Sequence, residues 1–179
     1  CRGHLRQIGF ATRMYGDDHN DELPRSTHSS FAFRQPPWSR AIAPYLGSTG
    51  DARWTNLLRG LYRCPIHKPA TGQYSYGLNV YFELSPDADD YAGSPQTWRR
   101  FTDIPQPAAT LLHGEVPGTA DHIMSHFWTP GEFAGDADLT RHIGRANYGF
   151  ADGHAGSRRP VEVYDPPRGV DAWNPSLAR

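Results

Sequence analysis

The spacing of apolar residues predicts an amphipathic helix over residues 1–15. Apolar side chains recur every three or four positions and therefore share one helix face: Leu5, Ile8, Ala11 or Thr12, and Tyr15. Phe10 and Met14 flank this face, and the arginines lie largely elsewhere. Gly16 is predicted to end the helix as its C-terminal cap, because glycine readily adopts a left-handed backbone.

Shorter elements are predicted along the rest of the chain. A helix is expected over residues 38–46 and a helical turn over 53–61. Aromatic and β-branched residues predict strands over 74–82, 101–104 and 110–113. Residues 146–151 and 154–164 are expected to form a closing hairpin. Its turn contains Asp152-Gly153, a dipeptide typical of a type I′ turn, in which both central residues have positive φ.

Composition favours one loop-rich domain with an aromatic core, spanning residues 1–179. Aromatic residues make up 12% of the chain, and 18 glycines and 16 prolines indicate many turns. Residues 165–179 are predicted to be an irregular tail that carries Trp173. The formal net charge of −1 offers no basic field for nucleic acid or an anionic membrane.

The most informative motif is His142, nine intervening residues, and then Asp152-Gly153, followed by His154. One interpretation is a metal or catalytic site, because two imidazoles and the Asp152 carboxylate are suitable ligands. The preferred interpretation is structural: His142 folds back and hydrogen-bonds the hairpin, while Asp152-Gly153 makes the turn. Asn147 belongs to the same structural motif.

Two other groups are weaker candidates for metal ligands. Asp18, Asn20 and Glu22 alternate as at the start of a calcium loop, but the glycine and glutamate of an EF-hand are missing, and a solvated helix exit is the alternative. His122 and His126 have the spacing of zinc ligands on a helix, with His113 as a third. Ile123 stands where a metalloprotease has glutamate.

Several segments, in this order, resemble the prepilin-type, pseudopilin-like proteins that carry a processing-associated His-x9-Asp-Gly motif. They are the helix from Cys1 to Tyr15 with Leu23-Pro24, Trp38 with Pro44-Tyr45-Leu46, Cys64-Pro65, Ser75 to Asn79, Pro107 to Leu112, and His142 to Gly153. Two features depart from the family pattern. His113-Gly114-Glu115 stands where the family often has aspartate, and the apolar first half of the helix is absent.

The resemblance implies an α+β fold in which an N-terminal helix packs on a small antiparallel sheet. It implies a non-catalytic subunit of a type II secretion or type IV pilus-like fibre, whose partners are other pilin-like subunits or copies of itself. The location would be extracytoplasmic, with an inner-membrane anchor in the precursor. In that setting Cys1 and Cys64 are candidates for a disulfide worth about 2–4 kcal/mol, and two free, partly buried thiols are the alternative.

Two alternatives remain open from the sequence. One is a metal-dependent enzyme, or an extracytoplasmic protein that binds zinc or calcium, which uses His142, Asp152 and His154. The other is a head stabilised by calcium; apart from calcium, no cofactor is expected.

Overall fold

A computed structural model describes residues 1–68, 74–84, 97–118, 120–129 and 135–179. It combines helices with a mostly antiparallel sheet, so the predicted α+β class is confirmed. The helices are α1 (Arg2–Asp18), α2 (Thr27–Ser30), α3 (Trp38–Ala41) and α4 (Asp51–Arg59). In the described ranges, no helix is long and apolar enough to cross a membrane.

Five strands form the main sheet in the order β3-β1-β2-β4-β5. They are β1 (Tyr76–Asn79), β2 (Leu111–Glu115), β3 (His122–Ile123), β4 (Ala146–Phe150) and β5 (Ala155–Arg158). Strand β3 pairs with β1 in parallel, and the other neighbours are antiparallel. A separate antiparallel pair is formed by β6 (Tyr164–Asp165) and β7 (Val170–Asp171).

Helix α1 buries the predicted apolar face. Leu5 and Ile8 are fully buried, whereas Phe10 and Met14 at the edge are half-exposed. The helix contacts β4 and β5. Helix α1 continues to Asp18, so Gly16 is not the C-terminal cap that the sequence predicts. Gly16 instead lies against the Phe101 ring, which leaves no room for a larger side chain.

Strand β2 contains a β-bulge and contributes to the core on both faces of the sheet. The register of the β2–β4 pair shifts between Leu111 and His113. Leu112 belongs to the cluster that contains the buried face of α1. Leu111 belongs to the cluster on the other side, with Trp173. The extra residue of a bulge changes the side to which the following residues point.

The C-terminal segment, predicted from the sequence to be an irregular tail, contributes Trp173 to this second cluster. Trp173 is fully buried. The Asn79 side-chain amide donates to the carbonyl oxygens of Trp173 and Leu111, at 2.7 and 2.8 Å. The tail is therefore tied to the centre of the main sheet.

Three short segments differ from the predicted secondary structure. Phe101–Asp103 forms a 3₁₀ turn where a strand was predicted. Val80–Phe82 is also 3₁₀, which makes β1 shorter than the aromatic run suggested. The helix predicted over 38–46 consists of α3 followed by a 3₁₀ turn that contains Pro44, a residue without a backbone donor.

The closing hairpin is present, but the predicted type I′ turn is wrong. Among its central residues, positive φ occurs at Gly153 (91°) and not at Asp152. Phe150 O accepts from Gly153 N–H at 2.9 Å, and Phe150 N–H donates to His154 O at 2.9 Å. This pattern is a three-residue loop that ends in a positive-φ glycine, the next most common hairpin connection.

Helix α1 meets this turn where two glycines face each other. A Cβ added at Gly9 would lie 3.2 Å from Gly153 O and 3.3 Å from Gly153 Cα, whereas a Cβ at Gly3 would meet no atom within 4 Å. We expect Gly9→Val to lower the free energy of unfolding by about 1–3 kcal/mol through overpacking. The matched variant Gly3→Val should change it little. Urea denaturation measures both, and equal effects would contradict the close approach.

The positive φ of Gly153 generates a second prediction. Gly153→Val should destabilise the protein by about 1–2 kcal/mol, because a β-branched residue strongly resists this backbone region. Gly153→Asn should cost clearly less, because asparagine tolerates positive φ. Thermal and urea unfolding of the two variants provide the comparison. Similar losses in both would mean that contact with the nearby Phe10 ring, and not φ, governs this position.

Candidate functional site

The site centres on a buried carboxylate at the end of β2. The Glu115 side chain is fully buried, and its two oxygens have different partners. Oε2 accepts a hydrogen bond of 2.7 Å from the backbone N–H of Asn147 on β4. Oε1 lies 2.8 Å from Nε2 of His142. These contacts orient Glu115 from two directions.

Arg141 fixes the segment that carries His142. Its Nε donates to Asp138 at 2.9 Å, and its terminal nitrogens donate to the backbone oxygens of Ser75 and Val116. One of these nitrogens also lies 3.7 Å from Glu115 Oε1. The Arg141 guanidinium thus joins the segments that border β1 and β2 and supplies positive charge beside Glu115.

Both cysteines approach the same point. Cys64 is fully buried, and its Sγ lies 3.7 Å from His142 Nε2. Cys1 contributes a second sulfur: one ligand atom from each of Cys1, Cys64, Glu115 and His142 lies within 4.8 Å of all the others. The two cysteines are unbridged in the structure. Their pairing as a disulfide stays a prediction.

The three residues of the proposed metal cluster, His142, Asp152 and His154, are not brought together. His142 precedes β4 and Asp152 follows it, so a five-residue strand, about 17 Å long, separates them. In the described ranges, the side chains that gather into a ligand group are those of Cys1, Cys64, Glu115 and His142. The nine-residue spacing therefore spans a strand and does not close a loop.

The preferred sequence interpretation placed His142 in a hydrogen bond to the closing hairpin. The structure does not show its side chain bonded to the turn of that hairpin. Its side-chain contacts are with Glu115 and Cys64. The turn is held locally: Asp152 Oδ1 accepts from the backbone N–H of His154 at 3.0 Å and lies 2.6 Å from its ring Nδ1. The His154 ring stacks on Phe150 with centroids 4.0 Å apart. Asp152 and His154 form a partly exposed pair of their own.

The predicted calcium loop has protein partners. Tyr45 OH donates to Asp18 at 2.8 Å, and Glu22 lies 4.0 Å from Arg99. Asn20 adopts positive φ (55°) in the turn after α1. The carboxylates of Asp18 and Glu22 are thus directed to different neighbours.

The histidines proposed as zinc ligands also separate. His122 lies on β3 and contacts Asp121, whereas His126 lies in a 3₁₀ turn, so a shared helix face does not exist. His113 is fully buried against Trp38, with ring centroids 5.2 Å apart. Neither ring nitrogen of His113 has a hydrogen-bond partner within the described structure. Burial lowers the pKa of His113 to about 3, so this ring is neutral at physiological pH.

Sequence reasoning missed Glu115 as a site residue. The available signal was at residues 113–115, where glutamate occurs at the end of a predicted strand of otherwise uncharged residues. A carboxylate that is fully buried requires partners, and here Asn147, His142 and Arg141 provide them.

Comparison with known proteins identifies no relative: no protein-family model, curated protein or solved structure matches this chain.

A strained turn places His142 beside Glu115. Ile143 and Gly144 have φ values of 56° and 74°, and the backbone N–H of His142 donates to Arg145 O at 2.7 Å. The Ile143 side chain is fully exposed, so its burial contributes no stability. Its backbone occupies a region that β-branched residues avoid, which costs free energy.

We therefore expect Ile143→Asn to raise the free energy of unfolding by about 1 kcal/mol, because asparagine tolerates the left-handed region. Urea denaturation measures the change. The control is Ile66→Asn, at another exposed isoleucine without positive φ, which should give no comparable gain. A loss of stability in Ile143→Asn would show that the isoleucine makes a favourable contact in solution.

Proposed function

We propose that this chain is the head of a pilin-like structural subunit in an extracytoplasmic secretion or adhesion fibre, and that it is not a catalyst. The observation that carries the proposal is the arrangement of α1. One face of this long N-terminal helix is buried and the helix contacts the β4–β5 hairpin, as the sequence resemblance implies. The ordered motifs between Cys1 and Gly153 support the same assignment.

The residues of the His-x9-Asp-Gly motif have structural partners, which favours a non-catalytic role. His142 contacts the Glu115 carboxylate, and Asp152 holds the backbone and ring of His154. Gly153 supplies the positive φ of the turn and the space for Gly9. Each of these contacts joins two elements of the head.

The surface of α1 offers a contact for a neighbouring subunit. Phe10 and Met14 lie four positions apart, and each is 50% exposed, so they form one apolar edge along the helix. Apolar residues grouped on a surface are typical of interaction sites. Under the proposal, this edge packs against another pilin-like subunit or a second copy of the chain.

The first test is the encoding gene. A pilin-like precursor requires an apolar segment of about 20 residues, preceded by a short basic leader, directly upstream of the Cys1 codon. Membrane fractionation of the tagged full-length precursor should place it with the inner membrane before assembly. An ordinary cleaved signal peptide in the gene would overturn the proposal.

The second test concerns assembly. In cells that express the full-length protein, Met14→Glu should reduce the amount recovered in sheared surface fibres at least several-fold, because a charge interrupts the apolar edge of α1. Val161→Glu is the matched control, since Val161 is equally exposed but lies outside α1. Both heads should keep the wild-type melting temperature. Equal recovery of the two variants would contradict a role for this edge in assembly.

A further inference from the structure

We propose that Cys1, Cys64, Glu115 and His142 together bind one zinc ion. The site joins residues from four parts of the chain: the start of α1, the segment after α4, the end of β2 and the turn before β4. This inference goes beyond the pilin-like role and does not depend on it, since a structural metal site can stabilise a head of any function.

Distances within the cluster fit a tetrahedral ion after a small adjustment. Zn–S and Zn–N bonds of about 2.3 and 2.0 Å place two ligands of a tetrahedral zinc about 3.5 Å apart. The distance from Cys64 Sγ to His142 Nε2 is 3.7 Å. His142 Nε2 and Glu115 Oε1 are 2.8 Å apart, which is a hydrogen-bond distance. A bound ion would replace the proton shared by these two atoms and separate them slightly.

The donor atoms select the metal. Two sulfurs, one imidazole nitrogen and one carboxylate oxygen are all zinc ligands, and four protein ligands leave no open position, as in a closed structural site. Sulfur ligands favour zinc over calcium or magnesium, which prefer oxygen. The predicted calcium is therefore not the ion that this cluster fits.

Neighbouring groups would support the ligands and offset part of their negative charge. The Asn147 N–H holds Glu115 Oε2 at 2.7 Å, which leaves Oε1 directed at the cluster. Two thiolates and a carboxylate around Zn²⁺ leave one excess negative charge. The Arg141 guanidinium, which is also paired with Asp138, lies 3.7 Å from Glu115 Oε1 and places positive charge beside the ligands. Such supporting hydrogen bonds are a regular part of metal sites.

Burial gives the proposed ion a structural role. Glu115 and Cys64 are buried, while Cys1 and His142 are partly exposed. An ion held here would join the N-terminus of α1 to the sheet. The ligands belong to separate elements and come together only in the folded chain. The free energy of zinc binding would therefore add to the free energy of unfolding.

The experiment is a metal titration of the full chain, reduced with a non-thiol reductant and freed of metal by a chelator. We expect one Zn²⁺ per chain by elemental analysis, a raised melting temperature, and loss of two reactive thiols on binding. Cobalt in place of zinc should give the visible bands of a tetrahedral ion and a thiolate-to-cobalt charge-transfer band. A reduced, folded protein that binds no stoichiometric zinc would overturn the proposal.

Ligand variants distinguish this site from the one that the motif suggested. Cys1→Ser, Cys64→Ser and His142→Gln should each weaken zinc binding by more than the ~10–100-fold that loss of a supporting residue costs. The matched controls Asp152→Asn and His154→Gln should leave affinity unchanged. Far-ultraviolet circular dichroism establishes that each variant folds. Because Cys1 and His142 are partly exposed, their variants test the site even if Cys64→Ser fails to fold.

The opposite pattern would refute the assignment. Retained affinity in folded Cys1→Ser and His142→Gln, or loss of affinity in Asp152→Asn, would place the metal elsewhere. Mass spectrometry of protein isolated from its native compartment gives a further check. A Cys1–Cys64 disulfide without bound zinc would show that a covalent bond, and not a metal, joins these two residues.

Discussion

The buried carboxylate of Glu115 is the constraint around which one end of the sheet is organised. A charge removed from water is costly unless it is paired and hydrogen-bonded. Here the partners come from three positions: the Asn147 backbone on β4, the His142 ring and the Arg141 guanidinium. Arg141 in turn binds backbone oxygens that border β1 and β2. The contacts that satisfy the Glu115 carboxylate thus connect strands β1, β2 and β4 with the loop that carries Arg141 and His142.

Local periodicity was sufficient for the elements that bury one continuous face. The three-to-four-residue repeat from Leu5 to Tyr15 defined α1, and Asp152-Gly153 correctly marked a hairpin. These signals depend on side chains near one another in sequence. The α+β class was implied by the family resemblance, and these local signals agree with it.

The composition of the candidate site could not be derived in the same way, because its members lie far apart in sequence. The short sequence separation of His142 and Asp152 suggested that the chain folds back between them, whereas strand β4 lies between them and keeps them apart. The sequence related Cys1 and Cys64 to each other as a disulfide, which stays a prediction, and gave no role to the Glu115 carboxylate that lies beside them. The turn type also failed, since the dipeptide alone does not specify whether one or both of its residues adopt positive φ. The contacts of Trp173 could not be predicted either, because the Asn79 amide that binds its backbone oxygen is almost a hundred residues away.

The bulge in β2 determines which face of the sheet receives the carboxylate. Side chains alternate along a regular strand, so Leu111 and Glu115 would share a side. Leu111 instead faces the Trp173 cluster, while Glu115 meets Cys64, a member of the α1 cluster. One additional residue near Leu112 therefore reverses the side of the sheet to which the following side chains of β2 point. A variant of this chain that lacked this residue would keep the same strand and motif, yet its carboxylate would point into the opposite half of the core, away from both cysteines.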